Sequence, residues 1–416
     1  MNLKLCAVRR VALAVAACAA AAFAVSGILS TVMAAPATIA GGKTKDDAGF
    51  QTAAPYAILI EAETGAVLFE KAADTLVAPA SLAKLMTAET VFNEIREGNV
   101  KIDEEFVVSE RAWRKGGAPS GGSTMFAAIH SRIKVSDLLQ GAIIQSGNDA
   151  CIALAEGIAG NEEDFARLMN GRARELGLTM SNFTNSTGLP DPEQRVTPRE
   201  LARLARHIIR TYPEYYKWYG EKEFTWNKIR QQNRNPLLAM NIGADGMKTG
   251  FTNEAGYGLV GSAVQNDLRL IVVVNGLKSA NERADEARRL LNFGFNGFES
   301  RLLFGEGQQV GEARLFGGEQ RYVPLQAVGG REIRLMVPKN SSERVLARVV
   351  YRGPVRVPVK EGAQIATLKV WRGENIALEV PLEAVQSVEA GSLQRRALDA
   401  VSELFGGWFR AGLKKL

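Results

Sequence analysis

The chain has 416 residues, 46% of them hydrophobic and 23% charged, a globular composition that excludes disorder and collagen-like structure and leaves room for two or three domains. Its formal net charge of +6 is concentrated at the two ends, with three cations before residue 35 and a net +3 in residues 392–416, so the body lacks the cationic balance of a nucleic-acid binder. There are two histidines, His130 and His207, neither in a metal-ligand pattern, so the chemistry is sought without imidazole, and no metal or cofactor is expected.

Residues 1–34 carry Lys4, Arg9 and Arg10, no acidic residue, and an alanine- and valine-rich run ending in Val32-Met33-Ala34. That is the pattern of a secretory signal peptide, cut after Ala34 with Ala37 as the alternative. A lipoprotein signal at Cys18 is the rival, but the apolar run before it, from Val11, is short for that purpose. With the leader removed, Cys151 is the one remaining cysteine and no internal disulfide can form. Residues 35–51, rich in Gly, Thr, Lys and Asp, read as a mobile lead-in.

From residue 52 the patterning predicts structure. Tyr56 to Ile60 and Ala66 to Phe69 flank a glycine-containing turn, a hairpin signal. Helical spacing follows in Leu82, Leu85, Met86 and Val91, in Leu138, Leu139, Ile143 and Ile144, and in Leu201, Leu204, Ala205 and Ile208. Thr197-Pro198-Arg199-Glu200 reads as a capping box with proline at the first helical position. Ser136 is expected to cap the second of these helices. Residues 257–264 and 268–274 form a second hairpin, and 281–294 a last helix. The order predicts one α+β unit over 52–298. Alternation at Ile333, Leu335, Val337 and at Ile376, Leu378, Val380, Leu382 predicts a small β sandwich over 299–390. Residues 391–416 place Leu398, Val401, Phe405, Trp408 and Phe409 on one side of a helix and Arg395, Arg396, Arg410 and Lys414 on the other, the pattern of a helix lying in a bilayer interface.

Three short patterns can carry chemistry: Ser81-Leu-Ala-Lys84, Ser146-Gly-Asn148 and Lys248-Thr-Gly250. Each alone is weak, since Ser131-Arg-Ile-Lys134 and Ser279-Ala-Asn281 match two of them by chance. Context separates the first set. Ser81 opens an apolar-faced helix, so Lys84 shares its face and can bring an amine to the hydroxyl, an effective base if burial and a neighbouring cation such as Lys248 lower its pKa. The Ser81 N–H, at a helix N-terminus, suits a developing oxyanion. Ser146 and Asn148, two apart in an expected extended loop, would point the same way, and alone they read as a turn with a helix cap at Asn148. Lys248-Thr249-Gly250 should lie on a strand edge, where backbone can pair with an extended ligand while Lys248 and Thr249 hold a carboxylate. Gly256 to Gly261 fits G-x-G-x-x-G but runs into a strand with no helix to receive a pyrophosphate, so it is read as strand.

The order of the three patterns, 65 and then 102 residues apart, is similar to that of the penicillin-recognising serine enzymes. Ala78 to Thr87, Gln145 to Cys151, Asn185 to Pro190 and Lys248 to Thr252 resemble most the serine-type D-alanyl-D-alanine carboxypeptidases, the low-molecular-mass penicillin-binding proteins of peptidase family S11. The resemblance implies a β-lactamase-like α+β catalytic domain, a β sandwich and an amphipathic anchor. The protein would lie in the periplasm, held peripherally on the inner membrane. It also implies a reaction in which Ser81 attacks the carbonyl between the terminal D-alanines of a peptidoglycan stem peptide, β-lactams being covalent inhibitors. Lys84 would be the base and Ser146 with Asn148 the relay and orienting pair. Lys248, Thr249 and Gly250 would hold the carboxylate, Phe251 would offer the second oxyanion N–H, and Arg234 would be a further cation beside the carboxylate. Phe251 departs from better-known members, which carry histidine there. A class A β-lactamase is the rival enzyme, but it would carry E-x-x-L-N before K-T-G and end near residue 300. A non-catalytic peptidoglycan-binding scaffold is the rival of another class.

Overall fold

A computed structural model describes residues 50–339, 345–372 and 375–397. The expected signal peptide, residues 35–49 of the lead-in and residues 398–416 of the expected amphipathic helix lie outside these. The end of the lead-in is already fixed: Phe50 stacks on Phe293 at 4.6 Å, and Thr52 Oγ1 donates to Glu286 Oε2 at 2.6 Å.

The centre is a five-stranded antiparallel sheet. β1 (Tyr56–Glu61) and β2 (Val67–Lys71) come early in the chain, and β7 (Ala244–Thr252), β8 (Gly256–Gln265) and β9 (Leu268–Leu277) come late, in spatial order β2-β1-β9-β8-β7. Two short hairpins lie between them, β3 (Glu105–Val107) with β4 (Arg132–Lys134) and β5 (Glu223–Trp226) with β6 (Ile229–Gln232). Strand β9 shows why the sheet is internal: Ile271 and Val273 enter one apolar core, while Leu270, Val272 and Val274 enter another. Alternation with apolar residues on both faces gives a strand covered from both sides.

The first core joins the sheet to a helical cluster: α1 (Lys84–Arg96), α2 (Val135–Ile143), α3 (Asn148–Ala159), α4 (Glu162–Glu175) and α5 (Pro198–Thr211). The second is closed by α6 (Ala280–Gly297) through Ala287, Leu290 and Leu291. Thr197 caps α5 as its sequence predicts, its Oγ1 accepting from Glu200 N. The reciprocal half of the box is absent, because the Glu200 carboxylate instead accepts from Met180 N and Ser181 Oγ. Nor does Ser136 cap α2. The extended cap residue is Lys134, and Ser136 lies within the first turn.

The C-terminal part is all β around a separate core that includes Val323, Leu325, Leu335, Leu368 and Leu378. β10 (Phe298–Phe304) pairs with β13 (Ile333–Pro338). A six-stranded sheet contains β11 (Gly311–Phe316), β12 (Tyr322–Ala327), β14 (Val345–Val350), β15 (Val355–Arg356), β16 (Gln364–Arg372) and β17 (Asn375–Ala384). Residues 393–397 are helical. Among the described residues no helix is long and apolar enough to cross a membrane.

Candidate active site

Ser81 and Lys84 come from one stretch of chain. A single 3-10 turn, Ala80–Ala83, follows Pro79, and α1 starts at Lys84. Three residues apart on continuous helical backbone, the two side chains share a face. Lys84 Nζ lies 3.0 Å from Ser81 Oγ and 2.8 Å from Asn148 Oδ1, and it also donates to the carbonyl of Thr187. The amine is buried. Loss of hydration, with Arg234 as a nearby cation and Asp149 and Glu162 opposing, brings its pKa down to about 8.

The S-x-N segment differs from expectation. Ser146 is not extended but left-handed (φ 66°), and it occupies the turn between α2 and α3. Its buried Oγ has no hydrogen-bond partner among the described residues. Asn148 is the first residue of α3, with Gly147 before it as the cap position. Ala80, next to Ser81, is also left-handed (φ 48°). Such strain in non-glycine residues collects at functional sites, where surrounding structure holds it in place. Close to Ser146 in the chain, the buried Asp149 ties the start of α3 to residues 124–127. It accepts from Thr124 Oγ1 (2.6 Å) and from the amides of Met125 (2.9 Å) and Ala127 (3.0 Å), while Asn148 N donates to Ser123 O (2.8 Å).

The K-T-G segment lies on β7, the outer strand of the sheet, as its position before a strand pair predicts. This edge packs on the Ser81 turn so closely that a Cβ at Gly250 would lie 3.1 Å from both Leu82 Cγ and Pro79 O. Lys248 is buried and its Nζ donates to Thr249 O at 3.3 Å. Burial, with Lys84 and Arg234 as neighbouring cations, holds its pKa well below the usual lysine range. Arg234 itself is exposed and donates to Ser123 Oγ at 2.6 Å, which ties it to the segment bonded to Asn148. Cys151 is buried beside the two amines. Its thiol is pushed up to about 11 by loss of hydration, so it stays neutral and unreactive.

One wall is built by the Asn185 to Pro190 stretch, which carries part of the family resemblance but whose residues have no role assigned from the sequence. Residues 185–190 form a loop folded around Asn185 Oδ1, which accepts from Thr187 N, Thr187 Oγ1 and Gly188 N. The loop is pinned by Ser186, bonded to Glu162, and it presents the Thr187 carbonyl to Lys84. The available signal was the Asn-x-x-Gly spacing, which suits an Asx-type turn ending in a left-handed residue. Gly188 has φ 80°, and a Cβ there would lie 1.9 Å from Ala80 O. Gly188→Ala is therefore expected to cost at least about 2 kcal/mol from left-handed strain and overlap together. Thermal denaturation would show a lower midpoint, and covalent labelling by a penicillin would slow because the backbone at Ser81 is displaced. Unchanged values for both would show that the loop does not brace the serine turn.

The misleading patterns fall elsewhere. Ser131 Oγ donates to Ala128 O, and the residues after it run into β4, so its match to S-x-x-K has no cleft. Gly256 to Gly261 is part of β8. His207 lies on α5 near Thr211 (3.3 Å) and Tyr212, outside the cluster.

An α+β domain with a serine turn docked against an edge strand, followed by a β domain, is the architecture of the penicillin-binding proteins. Residues 42–279 match the family described as D-alanyl-D-alanine carboxypeptidase, and residues 298–390 match the C-terminal domain of penicillin-binding protein 5. The chain is 39% identical over 355 residues to D-alanyl-D-alanine carboxypeptidase DacC of Escherichia coli, covering 85% of this chain and 88% of that protein. It is 40% identical over 299 residues to DacA of Haemophilus influenzae, covering 71% and 75% respectively. The crystal structure of penicillin-binding protein 5 from Haemophilus influenzae aligns with a TM-score of 0.71 at 35% identity, over 84% of this chain and all of that one. The chain belongs to the D-alanyl-D-alanine carboxypeptidase family and is a serine-type carboxypeptidase of the penicillin-binding class.

Proposed function

We propose that Ser81 is the nucleophile and Lys84 its base in the removal of the terminal D-alanine from peptidoglycan stem pentapeptides. The observation that carries this reading is the buried Lys84 amine, 3.0 Å from Ser81 Oγ, with a pKa brought down to about 8. In the neutral amine the contact reverses and the hydroxyl donates to Nζ. The serine oxygen then adds to the carbonyl carbon of the penultimate D-alanine as its proton passes to Lys84. The N–H groups of Ser81 and Phe251 would hold the oxyanion. As the C–N bond breaks, the proton taken up by Lys84 passes to the leaving amine by way of the Ser146 hydroxyl, which has no hydrogen-bond partner among the described residues. Asn148, its Oδ1 taken by Lys84, keeps its NH2 group for the substrate backbone. Lys248, Thr249 and Arg234 receive the terminal carboxylate, whose charge favours the protonated form of Lys248 and repays its burial. Gly250 lets β7 pack directly on the Ser81 turn, which brings the outer edge of the strand within reach of a substrate whose carbonyl lies at Ser81. Water then cleaves the ester and restores Ser81.

The test is free D-alanine release from a pentapeptide, together with peptide mapping of a penicillin adduct. A long-lived adduct on the peptide containing Ser81 is expected. Rapid turnover of a chromogenic cephalosporin would instead favour a β-lactamase, and absence of any adduct would favour the scaffold.

We also take 52–298 as the catalytic domain, 299–390 as the β domain and 391–416 as an interfacial anchor on the periplasmic face of the inner membrane. The charge and aromatic pattern of the last segment support the anchor. Deleting 392–416 is expected to release the protein from membranes in a sedimentation assay while activity on a small D-Ala-D-Ala peptide persists. Continued sedimentation would remove the anchor assignment.

A further inference from the structure

Asp149 and Glu162, both buried, favour the charged form of the Lys84 amine, and they are held in different ways. Asp149 is bonded to neutral donors, Thr124 Oγ1 and backbone amides. Glu162, the first residue of α4, faces two ways. Its Oε1 accepts from Ser186 N at 3.2 Å and from Ser186 Oγ at 2.8 Å, while its Oε2 accepts from the Arg111 guanidinium at 3.3 Å. Arg111 precedes the helical turn Ala112–Gly116. Its side chain is 37% exposed and also donates to Glu163 at 3.0 Å. On the inner side Ser186 is gripped a second time, since Thr87, three residues after Lys84 on α1, donates to its carbonyl at 2.7 Å. The next carbonyl, that of Thr187, accepts from Lys84 Nζ. A line of hydrogen bonds and one peptide link thus runs from a cation that reaches solvent, through a buried carboxylate, to the reacting amine.

Bracing the loop does not by itself call for a carboxylate. A neutral amide of the same length could accept from Ser186 equally well, and burying a charge is costly. What the charge adds is attraction for the cationic form of Lys84, across a dry interior that screens it poorly. Arg111 offsets part of that attraction, weakened by its own contact with solvent. The other groups around the amine are fixed. Lys248 on β7 and Arg234 after β6 disfavour the cation, Asp149 on α3 favours it, Asn148 Oδ1 and the Thr187 carbonyl accept from it, and Cys151 stays neutral. The reaction proposed above, on which this inference rests, needs the amine in both states: neutral to take the serine proton, charged until it gives that proton up. We infer that Glu162 is a positioning residue that aims the Thr187 carbonyl at Lys84 and that, with Arg111 as its counterweight, supplies the negative charge holding the proton on Lys84 between its two transfers.

The experiment measures the rate of penicillin acylation from about pH 6 to pH 10 in the full chain, in Glu162→Gln and in Arg111→Gln. Glu162→Gln keeps an acceptor for Ser186 but removes the anion that favours the charged amine. The inflection expected near 8 in wild type should therefore fall, by about half to one pH unit. Arg111→Gln uncovers the anion, so its inflection should rise, by a smaller step of about a third of a pH unit because the guanidinium is partly solvated. Plateau rates should stay within about threefold of wild type in both. A purely structural brace would lower the rate without moving the inflection, or move it the same way in both variants, and either result overturns the inference. Should Glu162→Gln fail to fold in a melting curve, Arg111→Gln carries the test alone, and an inflection that stays put or falls overturns the inference. Unmoved inflections in the variants leave Lys84 standing as the base. A wild-type profile without an inflection near 8 removes Lys84 from that role, and the inference falls with it.

Discussion

Ser81→Ala is expected to abolish covalent labelling by penicillin and to lower D-alanine release by at least about 10⁴-fold, because no other group in the cleft can replace the nucleophile. Lys84 remains, but an amine this deeply buried and bonded to Asn148 and Thr187 is held away from an attacking position of its own. Cys151 is buried and neutral. The variant should fold, since the hydroxyl contributes one hydrogen bond worth about 1 kcal/mol and its removal leaves only a small void. Ser131→Ala is the matched control. It carries the same S-x-x-K spacing, yet its hydroxyl is exposed and bonded to its own turn, so both activities should stay within about twofold of wild type. Measurement requires only a fluorescent penicillin, a D-alanine assay and a melting curve. Labelling of Ser81→Ala at the wild-type rate would remove the nucleophile assignment and restore the scaffold reading.

The contrast between Ser81 and Ser131 shows what was legible in the sequence. A hydroxyl and an amine three apart at the head of an apolar-faced helix is a local statement, and local geometry delivered it. The K-T-G segment was legible for a related reason: its place just before a strand pair put it on an edge. Ser146 was legible as a candidate and not as a conformation, because its left-handed backbone lies in a turn whose far side is tied to residues distant in the chain, Asp149 holding 124–127 and Ser123 holding Asn148. The Thr187 carbonyl escaped altogether. A backbone acceptor has no residue type to betray it, and the loop that presents it is braced by Glu162 on another helix. The diverted Glu200 teaches the same point, since its capping role was lost to partners twenty residues upstream.

Lys84→Met is expected to lower the second-order rate of penicillin acylation by about 10² to 10⁴-fold while leaving Ser81 in place, the range spanned by loss of one general base. The pH dependence gives the sharper test. The ordinary lysine value of 10.5 has been brought down to about 8, so at pH 7 roughly a tenth of the protein carries the neutral amine that can accept a proton. The acylation rate of wild type should therefore rise with pH, inflect near 8 and level off above it. It should not climb on towards 10 as an ordinary lysine would require. The sign follows from the charge: the active form is the deprotonated one, so whatever disfavours the cation moves the inflection down. Arg234 is one such group, and Arg234→Ala should move the inflection to higher pH, besides weakening any ligand that offers a carboxylate. Lys84→Met should lose the inflection with the rate. A wild-type profile flat from pH 6 to 10, or a methionine variant that keeps the same inflection, would show that the base is some other group, and the short contact between Lys84 and Ser81 would then be structural.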